Sequence, residues 1–252
     1  MLIAMSGMPS FAEEAGGNEW EWTIVPYAWF NEIRSHLIIG HETINKGVGV
    51  DPTLDKTEVP FVLQLEGRYG RFGFFVQPNY LKVETSKSIH GADVDIAVKG
   101  WMVEFGGFYR LEAWGSGAER PAFFDLLIGG RYWSASTDVH SNLPVPNVTL
   151  ESTQQDNFVD PFVGLRVGFH LSKRMTFQIR GDIGGFNLIS GNFRSKLSWQ
   201  AIGFFGYEFN KVVSLEVGYR ALSFNIEDEH LEVNNHIKLL FSGPIVGLSL
   251  RF

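Results

Sequence analysis

The chain has no cysteine among its 252 residues, so disulfides and thiolate metal sites are excluded from the outset. It also has no window of about 18 or more uninterrupted apolar residues, which excludes a membrane helix of the usual kind. No basic stretch stands out against a net charge of -7. A general nucleic-acid binder needs such a stretch to neutralise phosphates, so that class is set aside. Phosphate-cradling loops and nucleotide fingerprints are absent too. What the chain does hold is 14% aromatic residues and 28 glycines, a mixture common where sheets curve and face lipid. Its length suits one large β domain or two small ones.

The clearest pattern runs from Asn157 to Phe186. Pro161, Val163, Leu165, Val167 and Phe169 share one parity, and Asp160, Gly164, Arg166, Gly168 and His170 the other, which is the period of a β-strand. Beyond a turn at Ser172-Lys173-Arg174, Phe177, Ile179 and Ile183 alternate with Gln178, Arg180 and Asp182. A hairpin with one apolar face and one charged, glycine-bearing face fits either a soluble sheet or the wall of a membrane barrel.

The same design recurs along the chain. Trp20, Trp22, Ile24, Pro26 and Ala28 oppose Glu21, Thr23, Tyr27 and Trp29. Phe61, Leu63 and Leu65 oppose Gln64, Glu66 and Arg68, and a tight turn at Tyr69-Gly70-Arg71 leads to Phe74, Val76 and Tyr80 against Gln77 and Asn79. Later strands set Trp101, Val103, Phe105 and Tyr109 against Glu104 and Arg110, and Phe124, Leu126, Ile128 and Tyr132 against Asp125 and Arg131. Leu197, Trp199, Ala201, Phe205 and Tyr207 then precede a turn at Phe209-Asn210-Lys211, after which Leu215, Val217 and Tyr219 oppose Glu216 and Arg220.

Long connections are expected at 31–59, with Ile33 to Ile39 as an outer hairpin arm and a turn or helix start at Asp51 to Leu54, and also at 86–93, 139–156 and 226–235. The pattern predicts an all-β fold, a single antiparallel up-and-down barrel of about ten strands, with eight or twelve also compatible. Short turns gather on one side and longer loops on the other, as in an outer-membrane barrel; a lipocalin-like soluble barrel is the competing arrangement. The segment MLIAMSGMPSFA, with Ser10 and Ala12 placed as a signal peptidase requires, reads as the remnant of a secretory signal over 1–12, leaving the barrel at 13–252.

Leu248, Leu250 and Phe252 end the last strand on one parity, and a terminal aromatic of this kind is expected to serve as the signal to the barrel assembly machinery. The segments PYAWF, DPFVGLR, RGDIGGF, LSWQAIGFFGYEF, SLEVGYRAL and SGPIVGLSLRF resemble a widespread group of Gram-negative outer-membrane β-barrel proteins. The resemblance spans most of the chain from Trp20 onward. It implies a cell outer-membrane location, with outer-membrane lipid as partner. It carries no catalytic residues across, so no enzyme activity is expected.

With apolar parity outward, a charged set lines the interior: Arg68, Arg110, Arg131, Arg166, Arg180 and Arg220 against Glu66, Glu104, Asp125, Asp160, Asp182 and Glu216. Isolated buried charges are too costly to keep, so these groups are expected to pair across neighbouring strands with bidentate geometry. Such a network reads as an occluded lumen, structural or at most a narrow route for small solutes, and the alternative is an anion-attracting constriction.

Arg180-Gly181-Asp182 spells an adhesion tripeptide but sits within a strand, and Asn147-Val148-Thr149 matches a glycosylation acceptor, but the machinery that would modify it is not expected here. The seven histidines match no ligand spacing, so neither metal nor cofactor is expected. Ser223 with His236 is the one pair worth examining for lipid hydrolysis at the rim. Surface recognition through the outer loops is the second functional class. Nothing in the sequence specifies an oligomeric state.

Overall fold

A computed structural model describes residues 19–30, 32–39, 42–48, 61–89, 92–114, 122–142, 149–185, 193–228 and 236–252. The expected signal remnant at 1–12, the Asp51 to Leu54 turn and the Asn147 acceptor lie outside them. Twelve strands follow in chain order: β1 (Trp20–Trp29), β2 (Glu32–Ile39), β3 (Glu42–Val48), β4 (Phe61–Tyr69), β5 (Phe72–Ile89), β6 (Ala92–Trp114), β7 (Ala122–Asn142), β8 (Thr149–His170), β9 (Met175–Gly185), β10 (Phe193–Glu208), β11 (Val213–Asp228) and β12 (His236–Arg251). Each pairs antiparallel with its neighbours, and β1 also pairs with β12. The result is a closed up-and-down barrel of ten strands, β1 and β4 to β12.

The two remaining strands form the outer arm expected near Ile33. β12 is shared: Ile245 to Arg251 pair with β1, while His236 to Ser242 pair with β2, which β3 then flanks. Main-chain hydrogen bonds from Trp22 N to Phe252 O (3.0 Å) and from Phe252 N to Trp22 O (2.9 Å) complete the closing seam.

The strands are longer than the alternation suggests. The segments taken for loops at 86–93 and 139–156 are mostly strand, since β5 reaches Ile89, β6 starts at Ala92, β7 reaches Asn142 and β8 starts at Thr149. Likewise β11 runs on to Asp228, into the loop expected at 226–235. A ladder is held by main-chain hydrogen bonds, which need no apolar face. Where both faces of a strand meet water, the period-2 signal fades while the pairing persists.

Side-chain polarity settles which way the barrel faces. Leu165, Val217 and Trp199 are 45%, 46% and 40% exposed on the outer surface, whereas Arg166 is 5% exposed. A lipocalin-like arrangement with these apolar residues turned inward is therefore overturned. Outward rings cluster at the short-turn rim, where Trp20 contacts Trp22 (5.6 Å between centroids) and Tyr69 (5.5 Å), Phe72 contacts Tyr109 (4.9 Å), and Tyr207 contacts Phe209 (5.4 Å). Tyr132 and Trp199 lie about ten residues up their strands from that rim, the length a tilted strand uses to cross hydrocarbon. This is the polarity of a barrel immersed in an apolar medium.

Candidate functional site: the filled interior

Inward positions of neighbouring strands stack into three storeys, because antiparallel register sets residues of equal height opposite each other. The storey farthest from the short turns is apolar. Trp29, Met102, Leu222, Phe224 and Phe241 are buried there, joined by Trp133 and Phe158. Trp133 meets Phe224 edge-on at 4.8 Å and lies 6.1 Å from Phe158 in a stacked pair. Rings in these orientations contribute attraction beyond the area they bury.

Below lies a belt of charge. Glu104 on β6, Arg131 on β7 and Asp160 on β8 are consecutive partners in register and are all fully buried. Arg131 donates from Nε to Glu104 Oε2 at 2.9 Å, reaches Asp160 Oδ2 at 3.3 Å, and also pairs with Asp182 on β9. Arg180 spans the interior to Glu104 (2.8 Å) and contacts Asp182 (3.0 Å). Gln200 ties the set together, donating to Glu104 (3.1 Å) and Asp182 (3.1 Å) while accepting from Arg220 Nε (2.8 Å). Arg220 donates in turn to Tyr27 Oη at 2.8 Å, and Ser198 donates to Asp160 at 2.6 Å. Three guanidinium groups thus face three carboxylates. Aromatic rings pack over the cations, with Phe162 4.4 Å from Arg131, Phe75 4.8 Å from Arg180 and Trp29 4.5 Å from Arg220.

The lowest storey repeats the chemistry more loosely. Arg166 grips Glu66 with two donors (2.6 and 3.0 Å) and also reaches Asp125 (2.7 Å). Arg110 takes Asp125 from the other side with contacts of 2.8 and 3.1 Å, and Arg68 pairs with Glu21. Phe108 and Phe123 lie under Arg166 and Arg110 at 4.5 and 4.2 Å. Both rings have room because the facing residue in register is glycine: a Cβ on Gly73 would come within 2.1 Å of the Phe108 ring, and one on Gly168 within 2.1 Å of Phe123. Beside these pairs a cavity of about 130 Å³ remains, bounded by Thr23, Gln64, Gln178, Glu216, Phe204 and Arg251 among others.

All twelve charged residues expected to line the interior lie on inward positions, but their pairing departs from the neighbour-to-neighbour expectation. Glu104 with Arg131, and Asp125 with Arg110 and Arg166, are neighbours on adjacent strands. Arg166 with Glu66, Arg180 with Glu104, and Arg131 with Asp182 instead reach beyond the adjacent strand. A barrel this narrow brings opposite walls within the length of an arginine. Glu216 accepts a hydrogen bond from Ser249 and lies within the field of the Arg251 guanidinium, both on the adjacent strand β12.

The sequence reasoning missed Glu21, Arg251, Gln200 and Ser198. Glu21 and Arg251 were visible as the polar neighbours of Trp20, Trp22, Leu250 and Phe252, on the same parity as the rest. Arg180 and Asp182 of the adhesion-like tripeptide are buried in the belt, away from any surface partner. Ser223 does not meet His236: it lies opposite Leu240, while His236 lies opposite Glu227, four residues and roughly 13 Å farther along the strand. No group of three or more potential metal ligands is found among the described residues. Leu248 and Phe252 are exposed on the outer face.

These features define the class: a ten-stranded barrel with apolar exterior and ion-paired interior. No protein-family model matches the chain, and no curated protein matches it. Among solved structures it is similar to the outer-membrane protease OmpT from Escherichia coli, with a TM-score of 0.56 and 6% identity over 94% of this chain and 100% of that one. That likeness is one of fold alone. Ail, the attachment invasion locus protein of Yersinia pestis, aligns at a TM-score of 0.37 with 12% identity over 93% of this chain and 99% of that one. The toluene transporter TodX of Pseudomonas putida aligns at 0.32 with 9% identity over 96% and 92%. These two superpose too loosely for any argument to rest on them.

Proposed function

We propose that this protein is an integral outer-membrane barrel whose interior is closed, so that it acts as a rigid membrane-embedded scaffold rather than an open pore. The observation that carries this reading is the belt, in which Glu104, Arg131, Asp160 and Arg220 have no exposed surface. Hydrated ions need a continuous water path, and a layer of buried, ion-paired charges backed by an aromatic storey offers none. The cavity below is then a vestibule that ends at the belt.

Planar-bilayer recordings test the reading. The wild type should give no sustained unitary current, and the charge-balanced pair Glu104→Ala with Arg131→Ala should give intermittent openings. Steady ohmic conductance from the wild type would overturn it.

A second reading, surface recognition, is favoured by strand length. β5 to β8 are 18, 23, 21 and 22 residues long, whereas about 9–11 residues suffice to cross hydrocarbon. The excess continues these strands beyond that length on the side away from the short turns, where β2 and β3 extend the sheet from the first half of β12. Shortening β6 and β7 together at that end should abolish attachment of a cell or phage ligand while sparing the barrel. In either reading the outward Leu248, Leu250 and Phe252 are the residues offered to the assembly machinery.

A further inference from the structure

Among the described residues, the exposed charges within the short turns are all positive. Arg71 follows Gly70 in the β4–β5 turn, Lys173 and Arg174 occupy the β8–β9 turn, and Lys211 lies in the β10–β11 turn; all four are exposed. The chain as a whole has a net charge of -7, so overall composition does not explain a cationic rim. Three acids stand nearby: Glu19 is exposed beside Trp20, Glu21 is half-buried and pairs with Arg68, and Glu208 is half-buried and already engaged. Main-chain contacts from Glu208 N to Arg174 O (2.8 Å) and from Arg110 N to Arg71 O (2.7 Å) tie these turns to adjoining strands.

Two of the turns are held in shape before any ligand arrives. Ser172 Oγ accepts from the main-chain N of Arg174 (3.3 Å) and Met175 (3.1 Å), and Asn210 Oδ1 accepts from Val212 and Val213 (both 2.8 Å). Side chains that close a turn on themselves lower the ordering cost of a later contact. Every cation is also flanked by exposed apolar groups: Tyr69 and Phe72 beside Arg71, Leu171 and Met175 around Lys173 and Arg174, Phe209 and Val212 around Lys211. A ligand suited to this rim presents hydrocarbon at one height and negative charge just beyond it.

We propose that the rim binds anionic glycerophospholipid, with the four cations holding head-group phosphates while the flanking rings and aliphatic chains sit among the acyl chains. Guanidinium forks match phosphate oxygens in pairs, and lysines add point charge. The proposal rests on the membrane-spanning reading above and goes beyond it by naming the lipid class and the leaflet edge.

Reconstitution into phosphatidylcholine vesicles containing brominated phosphatidylglycerol, or brominated phosphatidylcholine as control, tests it through quenching of the rim tryptophans Trp20 and Trp22. The wild type should prefer the anionic lipid by about fivefold or more, and about 0.5 M salt should remove most of that preference. The R71Q/K173Q/R174Q/K211Q variant should show none. An equal response to both lipids, a preference unchanged by salt, or a preference retained by the variant would overturn the proposal. The salt titration uses wild-type protein alone and decides the matter if the variant does not fold. Failure of the wild type to insert into either vesicle would count against the membrane reading itself.

Discussion

The belt around Arg131 and the floor around Arg166 are built from the same parts, yet the belt is dry and the floor borders a cavity. In each, three arginines meet three carboxylates on inward positions: Arg131, Arg180 and Arg220 with Glu104, Asp160 and Asp182 above, and Arg68, Arg110 and Arg166 with Glu21, Glu66 and Asp125 below. The neighbours differ. Around the belt the remaining volume is taken by Gln200, Ser198, Phe162 and Trp29. Around the floor the inward residues include Thr23, Gln64, Gln178 and Gly247, which leave space between the walls. Charge balance makes a narrow interior affordable, and side-chain volume decides whether water can enter it.

Three substitutions probe this contrast by unfolding in detergent or lipid, followed with urea. Arg131→Ala should cost the most, about 3–5 kcal/mol, because three carboxylates lose a shared partner where water cannot replace it. Arg166→Ala should cost about 3 kcal/mol, since Asp125 keeps Arg110 and Glu66 borders the cavity. Arg68→Ala should cost least, about 1 kcal/mol or less, because Glu21 is partly exposed and can be rehydrated in place. Equal losses at Arg131 and Arg68 would erase the distinction between the two storeys. A loss at Arg166 matching that at Arg131 would move the boundary of the dry region down to the floor.

Much of this interior was legible as alternation. The parity that set Arg166 against Leu165 and Glu216 against Val217 also assigns inside and outside, and the tight turns at Gly70, Lys173 and Asn210 follow from polar residues between apolar runs. The apolar content of the interior was harder to see. Phe75, Phe108, Phe162 and Leu127 share the polar parity, and a binary pattern hides them because it looks for a face of uniform character. An inside-out barrel needs only its lipid face to be uniform, whereas its interior mixes charge, amide and ring according to volume. Strand ends at 139–142 and 149–156 escaped detection for a related reason, since main-chain pairing alone leaves no apolar period behind. The pairings beyond adjacent strands, such as Arg166 with Glu66, depend on barrel diameter, which no local window contains.

The seam between Trp22 and Phe252 gives every other contact a deadline. Because the first barrel strand is clasped by the last, an unfinished or clipped chain lacking Val246 to Phe252 cannot close into a ring. It would instead be a curved ribbon with two unpaired borders, each able to recruit a strand from another molecule. Truncation at that end should therefore act as a gain of stickiness as well as a loss of stability, and quality control in the cell has reason to inspect that border first.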